Sequence, residues 1–117
     1  TVMNNLEQYE WSEWRPFPHP HKKGILVSPF GFGVYQLRNV KTDEFILFGR
    51  GDNLSHRMST LLPIPFGISG RKNVKKKNYV LENIKNIEYR TIPCSSHEES
   101  VRIEKDIKNL NIHKFNK

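Results

Sequence analysis

The chain has 117 residues, of which 36% are hydrophobic and 26% are charged, and its net charge is +7. This length suits one domain with a single core, and the composition is typical of a soluble globular protein and excludes a disordered chain. No apolar run approaches the roughly 20 residues of a transmembrane helix, so we expect no membrane partner. The single cysteine, Cys94, excludes an internal disulfide and favours a reducing, intracellular (cytoplasmic) compartment.

The first 30 residues differ from the rest of the chain because aromatic residues alternate with prolines. Trp11, Trp14 and Phe17 lie among three prolines, which prevent a continuous helix. We predict an extended arm, residues 1 to 30, that packs on a domain of residues 31 to 117 with its aromatic residues on the domain surface. The tryptophans suit base stacking, although packing against the chain's own core is favoured.

Three segments have the residue pattern of β-strands. Residues 33 to 38 and 45 to 49 are predominantly apolar, and residues 39 to 43 between them are typical of a hairpin loop. Residues 86 to 93 alternate in side-chain character and predict a third strand. The continuous apolar run of the second strand indicates that both of its faces are covered.

A short helix is predicted after Asp52 and Asn53, either of which can cap it. Leu54, Met58 and Leu61 recur at helical spacing and are expected in the core. Arg57 precedes Met58, and we expect its side chain at the rim of that buried face.

The last helix is predicted to begin at a capping box, in which Ser96 caps the first turn and Glu99 reaches back. Its apolar stripe consists of Ile103, Ile107 and Leu110. Glu104 adjoins this stripe, so we expect it at the edge of the buried face.

One segment between these helices is strongly basic. Its only acid is Glu82, and its cations are Arg71, Lys72, Lys75, Lys76, Lys77 and Lys85. Such a cluster can neutralise several phosphates with release of counterions, while a solvated loop kept basic for solubility explains it equally well. The residues predicted to bind nucleic acid are Arg71, Lys72, Lys75, Lys76 and Lys77.

Three side chains suit the hydrolysis of a phosphodiester. Glu104 is a hard oxygen ligand, and one carboxylate suffices for Mg²⁺ because this ion keeps most of its waters. Arg57 can stabilise phosphoryl charge, and Tyr35 can hydrogen-bond or deprotonate a water. Each residue type is also common in purely structural roles.

The order and spacing of five short elements resembles the GIY-YIG nucleases. Gly33-Val34-Tyr35 corresponds to the first motif, and Leu47-Phe48-Gly49 follows after eleven intervening residues as the second. Arg57 stands eight residues beyond the second motif, where the family's helix carries its arginine. Glu104 matches the metal-binding glutamate of the family's later helix, and Lys114-Phe115-Asn116 looks like the ending that supplies a site asparagine.

The resemblance implies an α+β fold with a small three-stranded antiparallel sheet flanked by helices. It also implies a divalent-metal-dependent endonuclease that acts on DNA with Mg²⁺ or Mn²⁺. In that activity Glu104 would hold the metal and Arg57 would stabilise the phosphate. Tyr35 would hydrogen-bond or deprotonate the attacking water, and Asn116 would assist near the metal or the water.

Two positions depart from the family pattern. Leu47 replaces the tyrosine of the second motif, and Leu61 stands where many members have a histidine or tyrosine. Neither can hydrogen-bond a water or a phosphate. Arg50, directly after the second motif, is interpreted as a surface arginine, with a phosphate contact as the alternative.

Three functions therefore stay open. The first is a DNA endonuclease, and the second is a nucleic-acid-binding module whose catalysis is impaired. The third is a basic interaction domain for an acidic protein. Target specificity would come from a homodimer, from a partner in a larger complex or from the N-terminal arm.

Overall fold

The computed structural model describes residues 9–17, 31–59 and 74–115. Within these ranges the chain forms an α+β fold, as predicted, with a four-stranded antiparallel sheet. The strands are β1 (Arg15–Pro16), β2 (Gly33–Asn39), β3 (Glu44–Gly51) and β4 (Ile87–Pro93). The helices are α1 (Leu54–Ser59), α2 (Val74–Glu82) and α3 (His97–Leu110), with a 3₁₀ turn at Ile84–Asn86. No helix in the described ranges is long and apolar enough to cross a membrane.

The strand order is β1-β4-β2-β3, so β2 and β4 lie in the middle of the sheet. The predicted hairpin between β2 and β3 is confirmed. The Asn39 carboxamide oxygen accepts hydrogen bonds from the backbone N–H groups of Lys41 and Thr42. Asp43 completes the turn with a φ of 57°, a conformation that Asp tolerates better than most residues.

The predicted three-stranded sheet is wrong in its strand count, because the arm supplies β1 at the edge of β4. An edge position tolerates Pro16, which has no backbone N–H to donate. Phe17 then donates its own backbone N–H to the Ile87 carbonyl oxygen at 2.9 Å. The Phe17 side chain is only 4% exposed and packs edge-on against Tyr89. The favoured expectation, that the arm packs against the chain's own core, is therefore confirmed at Phe17.

The described part of the arm binds the domain through its tryptophans. The Arg90 guanidinium lies 4.1 Å from the Trp11 ring centroid and 4.5 Å from that of Trp14. Arg38 lies 4.0 Å from the Trp14 centroid. These contacts are cation–π pairs, and they engage the rings within the protein. Residues 18 to 30, which carry the predicted boundary of the arm, lie outside the described residues.

The sheet has a different core on each face, because side chains alternate along a strand. Tyr35, Leu37 and Leu47 belong to the face covered by α1 and α2. The opposite face is covered by α3, whose Ile103 and Ile107 pack with Val34, Phe48 and Ile92. The apolar run in β3 is therefore buried on both sides, as the sequence predicts.

Helix α3 begins as predicted, with one difference in the cap. Ser96 is the N-cap and accepts a hydrogen bond from the Glu99 backbone N–H at 3.1 Å. The Glu99 carboxylate, however, accepts from the Ser95 hydroxyl at 3.0 Å instead of closing a reciprocal pair with Ser96.

Helix α2 begins at Val74 and ends at Glu82, within the basic segment of the sequence. The helix packs against the core that contains Tyr35 and Leu47, through Tyr79, Val80 and Leu81.

Candidate active site

One cavity lies where β3 ends and where α1 and α3 approach the sheet. The described residues that line it are Arg50, Arg57 and Glu104, and its volume is about 450 Å³. Two of the predicted site residues, Arg57 and Glu104, are thus brought together from elements that are distant in the sequence.

Arg50 is placed on the α3 face by the alternation of β3. It pairs in register with Val34, whose side chain belongs to the core beneath α3. The Arg50 Nε lies 3.4 Å from the Glu104 Oε1, and both side chains are 33% exposed. The Nε is buried and makes no hydrogen bond to any described residue. The contact with Glu104 is therefore an ion pair without a hydrogen bond.

Glu104 is held at the edge of the buried stripe of α3, which confirms its predicted position. Its neighbour Ile103 is 4% exposed and Ile107 is fully buried. These contacts fix the helix on the sheet, and they leave the Glu104 carboxylate at the cavity.

Arg57 reaches the cavity from the other face of the sheet. Leu54 and Met58 are fully buried and fix α1, while Arg57 is exposed, as expected for a residue at the rim. A Cβ added at Gly51 would lie 3.0 Å from the Arg57 Cγ. The absence of a side chain at Gly51 therefore gives the Arg57 stem room to pass the end of β3.

Tyr35 is 1% exposed and lies in the core on the α1 and α2 face. It is opposite Gly49 in the β2–β3 register, and a Cβ added at Gly49 would lie 2.6 Å from the Tyr35 hydroxyl oxygen. The hydroxyl thus stands over Gly49. The next residue of β3 on the same face is Gly51, over which the Arg57 stem lies. Tyr35 is not among the described residues that line the cavity.

Leu47 is fully buried opposite Leu37 in the same core. The side chain that the resemblance aligns with a tyrosine is therefore an apolar packing residue. Leu61, the other departure, lies outside the described residues.

The C-terminal candidate Asn116 also lies outside the described residues. The chain just before it is bound at the start of β3, where the backbone N–H groups of Lys114 and Phe115 donate to the carbonyl oxygens of Phe45 and Ile46.

The predicted nucleic-acid-binding lysines differ in exposure. Lys75 is exposed, whereas Lys76 is 8% exposed and interacts within the protein. Arg71, Lys72 and the Lys77 side chain lie outside the described part of the chain.

Helix α2, which carries these lysines, is attached at the far end of the sheet. The Asn39 side-chain amide donates to the Tyr79 hydroxyl at 3.0 Å. Asn39 is the last residue of the seven-residue strand β2, about 20 Å from the end at Gly33, and Gly33 pairs with Gly51 beside the cavity.

The donor set suits a cation that keeps its own waters. Within the described ranges, no group of three or more His, Cys, Asp or Glu side chains could hold a metal ion. Of the described residues that line the cavity, only Glu104 has a carboxylate, and its side chain is 33% exposed. One such carboxylate fits Mg²⁺ or Mn²⁺ bound through a single protein oxygen, waters and a substrate phosphate.

The sequence predicts a surface arginine at Arg50, with a phosphate contact as the alternative, whereas the structure places it in the cavity beside Glu104. Strand alternation carries the relevant signal, because it places Arg50 and Val34 on the face opposite Tyr35.

Comparisons of the chain with protein-family models, with curated proteins and with solved structures find no match.

Proposed function

We propose that this protein is a divalent-metal-dependent endonuclease that hydrolyses DNA phosphodiester bonds in the cavity beside β3. The observation that carries the proposal is the meeting of Arg50, Arg57 and Glu104 in one cavity of about 450 Å³. Cations for a phosphate and a carboxylate for a metal are the groups that metal-assisted phosphoryl chemistry requires.

Arg57 is the residue proposed to bind the phosphate. It is exposed at the mouth of the cavity, and its guanidinium can donate two hydrogen bonds to the non-bridging oxygens of one phosphate. Its positive charge would offset the negative charge that grows on the phosphoryl oxygens as the water attacks.

Glu104 is the proposed metal ligand, and Tyr35 is the proposed partner of the water. A bound Mg²⁺ or Mn²⁺ would polarise the phosphoryl oxygen and favour ionisation of a water. The Tyr35 hydroxyl stands over Gly49, and the Arg57 stem lies over Gly51, the next residue of β3 on the same face. From this position the hydroxyl would accept a hydrogen bond from the attacking water. Lys75 is the exposed lysine proposed to bind the DNA backbone. Asn116 has no role in this proposal, because the preceding Phe115 is bound at Ile46, about 13 Å along β3 from Arg50.

A second candidate is a nucleic-acid-binding module with impaired catalysis. It is favoured by the burial of Tyr35 and by the apolar side chain of Leu47, both of which lie in the core. The described residues that line the cavity then include a single carboxylate, that of Glu104, and no tyrosine.

Plasmid cleavage with Mg²⁺ or Mn²⁺ separates the two candidates. The wild type is compared with Glu104→Gln and with Glu98→Gln, which removes an exposed carboxylate from the same helix. The nuclease proposal expects cleavage by the wild type and by Glu98→Gln, and its loss in Glu104→Gln. Cleavage at the full rate in Glu104→Gln overturns the assignment of Glu104 as the metal ligand. Absence of cleavage by every form, with salt-sensitive DNA binding intact, supports the binding module.

A further inference from the structure

We infer that Arg50 is an exchangeable counter-ion for Glu104. In the free protein it neutralises the carboxylate, and a DNA phosphate draws it away so that a divalent cation can bind. This inference rests on the proposed function, because it assigns the metal to Glu104 and the phosphate to the same cavity. Its consequence is that DNA and the metal ion bind cooperatively, while the ion alone binds weakly.

The contact between the two residues has the properties of an exchangeable pair. Its Nε–Oε1 distance is 3.4 Å, and the Arg50 Nε makes no hydrogen bond within the described residues. A guanidinium N–H that is buried without an acceptor is costly, so a closer acceptor would stabilise it. A phosphate oxygen is such an acceptor, and charge-assisted hydrogen bonds to phosphate are among the stronger ones in proteins.

The frame around the pair is fixed, whereas the side chains have room to move. Arg50 is held by the pairing of β3 with β2, and Glu104 is held through Ile103 in the core beneath α3. Both side chains nevertheless keep 33% exposure. Exchange therefore requires only a change of side-chain conformation.

Electrostatic interactions determine which partner Arg50 has before and after DNA binds. A positive charge a few ångströms from a carboxylate lowers the affinity of that carboxylate for a second cation. An incoming phosphate contributes negative charge and offers Arg50 a new partner, which removes this competition. By thermodynamic linkage the bound cation must strengthen DNA binding by the same factor.

The direct test measures Mn²⁺ binding to the full chain without DNA, by electron paramagnetic resonance at constant ionic strength. The variants are Arg50→Gln, Arg50→Lys, Glu104→Gln and the control Arg102→Gln. Arg102 is an exposed arginine on the same helix as Glu104, so the control removes the same charge outside the described lining. Circular dichroism checks that each variant is folded.

We expect Arg50→Gln to bind Mn²⁺ roughly fivefold more tightly than Arg102→Gln, from the Coulomb energy of one close charge. Arg50→Lys keeps the charge and should stay near the wild type. Equal affinities of Arg50→Gln and Arg102→Gln, or no detectable binding by either, overturn the inference. If Glu104→Gln binds Mn²⁺ as tightly as the wild type, the assignment of Glu104 as the metal ligand in the proposed function is overturned.

The reciprocal test measures the affinity for a DNA duplex by fluorescence anisotropy, in EDTA and in Ca²⁺. The wild type should bind DNA more tightly in Ca²⁺, and this gain should shrink in Arg50→Gln and disappear in Glu104→Gln. An equal gain in the wild type and Arg50→Gln contradicts the coupling.

Discussion

Tyr35 and Gly49 face each other across β2 and β3, and the tyrosine hydroxyl occupies the space that a side chain at position 49 would need. An added Cβ would lie 2.6 Å from the hydroxyl oxygen and 2.7 Å from the ring carbon Cζ. Real Cβ atoms do not approach other atoms so closely, so the glycine is a packing requirement of the tyrosine. The segments Gly33-Val34-Tyr35 and Leu47-Phe48-Gly49 are thus joined by a direct steric relationship.

Gly49→Ala is therefore expected to destabilise the protein. The added methyl must displace a ring that is 1% exposed among fully buried neighbours such as Leu37 and Leu47. Overpacking of this kind costs about 1–3 kcal/mol, which urea unfolding would measure. Gly51→Ala is the matched control, since the closest atom to its Cβ would be Cγ of the flexible Arg57 stem at 3.0 Å. Equal stability losses in the two variants would contradict the steric argument.

Tyr35→Phe tests the proposed role of the hydroxyl. Phenylalanine keeps the ring and its packing, so the fold and DNA affinity should be retained. Cleavage should fall by about 100-fold, which is the lower range for loss of a group that assists proton transfer. The measurement is the single-turnover cleavage rate at saturating protein. A variant that cuts at the wild-type rate would restrict Tyr35 to packing.

Arg57→Gln tests the phosphate contact through salt dependence. Loss of one phosphate contact should reduce the slope of log affinity against log salt by about one unit. Anisotropy titrations of a DNA duplex at several salt concentrations give this slope. Lys105→Gln removes an exposed cation from α3, and it should leave the slope nearly unchanged. An equal change in both variants would indicate only a general loss of positive charge.

The Cys94 thiol is predicted to be a poor nucleophile. Burial raises the pKa of Cys94, and the nearby negative charge of Glu99 raises it further. A raised pKa leaves less thiolate at a given pH, so alkylation by iodoacetamide should be slower than for the urea-unfolded chain. The rate should still be rising at a pH where the unfolded chain has reached its plateau.

Glu99→Gln removes one cause of the raised pKa and should speed the alkylation of Cys94. Glu98→Gln serves as the control, since it alters an exposed carboxylate that is not among the causes of the shift. Alkylation that is as fast in the folded protein as in the unfolded chain would contradict the raised pKa.

Much of the secondary structure is determined locally. The β2–β3 hairpin, β4 and the start of α3 follow from alternation, turn residues and capping residues close together in the sequence. The edge position of Glu104 follows from the spacing of Ile103 and Ile107 along one helix. The arm strand β1 was not predicted, because a two-residue strand has no periodicity and depends on the free edge of β4.

By itself, the sequence determined the order of the main strands and helices, the hairpin and the rim positions of Arg57 and Glu104, because each depends on local patterns within one element or between neighbours in the sequence. Only the tertiary structure decided that these two residues share a cavity and that Arg50 joins them. It also decided that the ring of Tyr35 is buried over Gly49. The physical reason is that distances between elements depend on how the two faces of the sheet are covered, and no local pattern of residues carries that information.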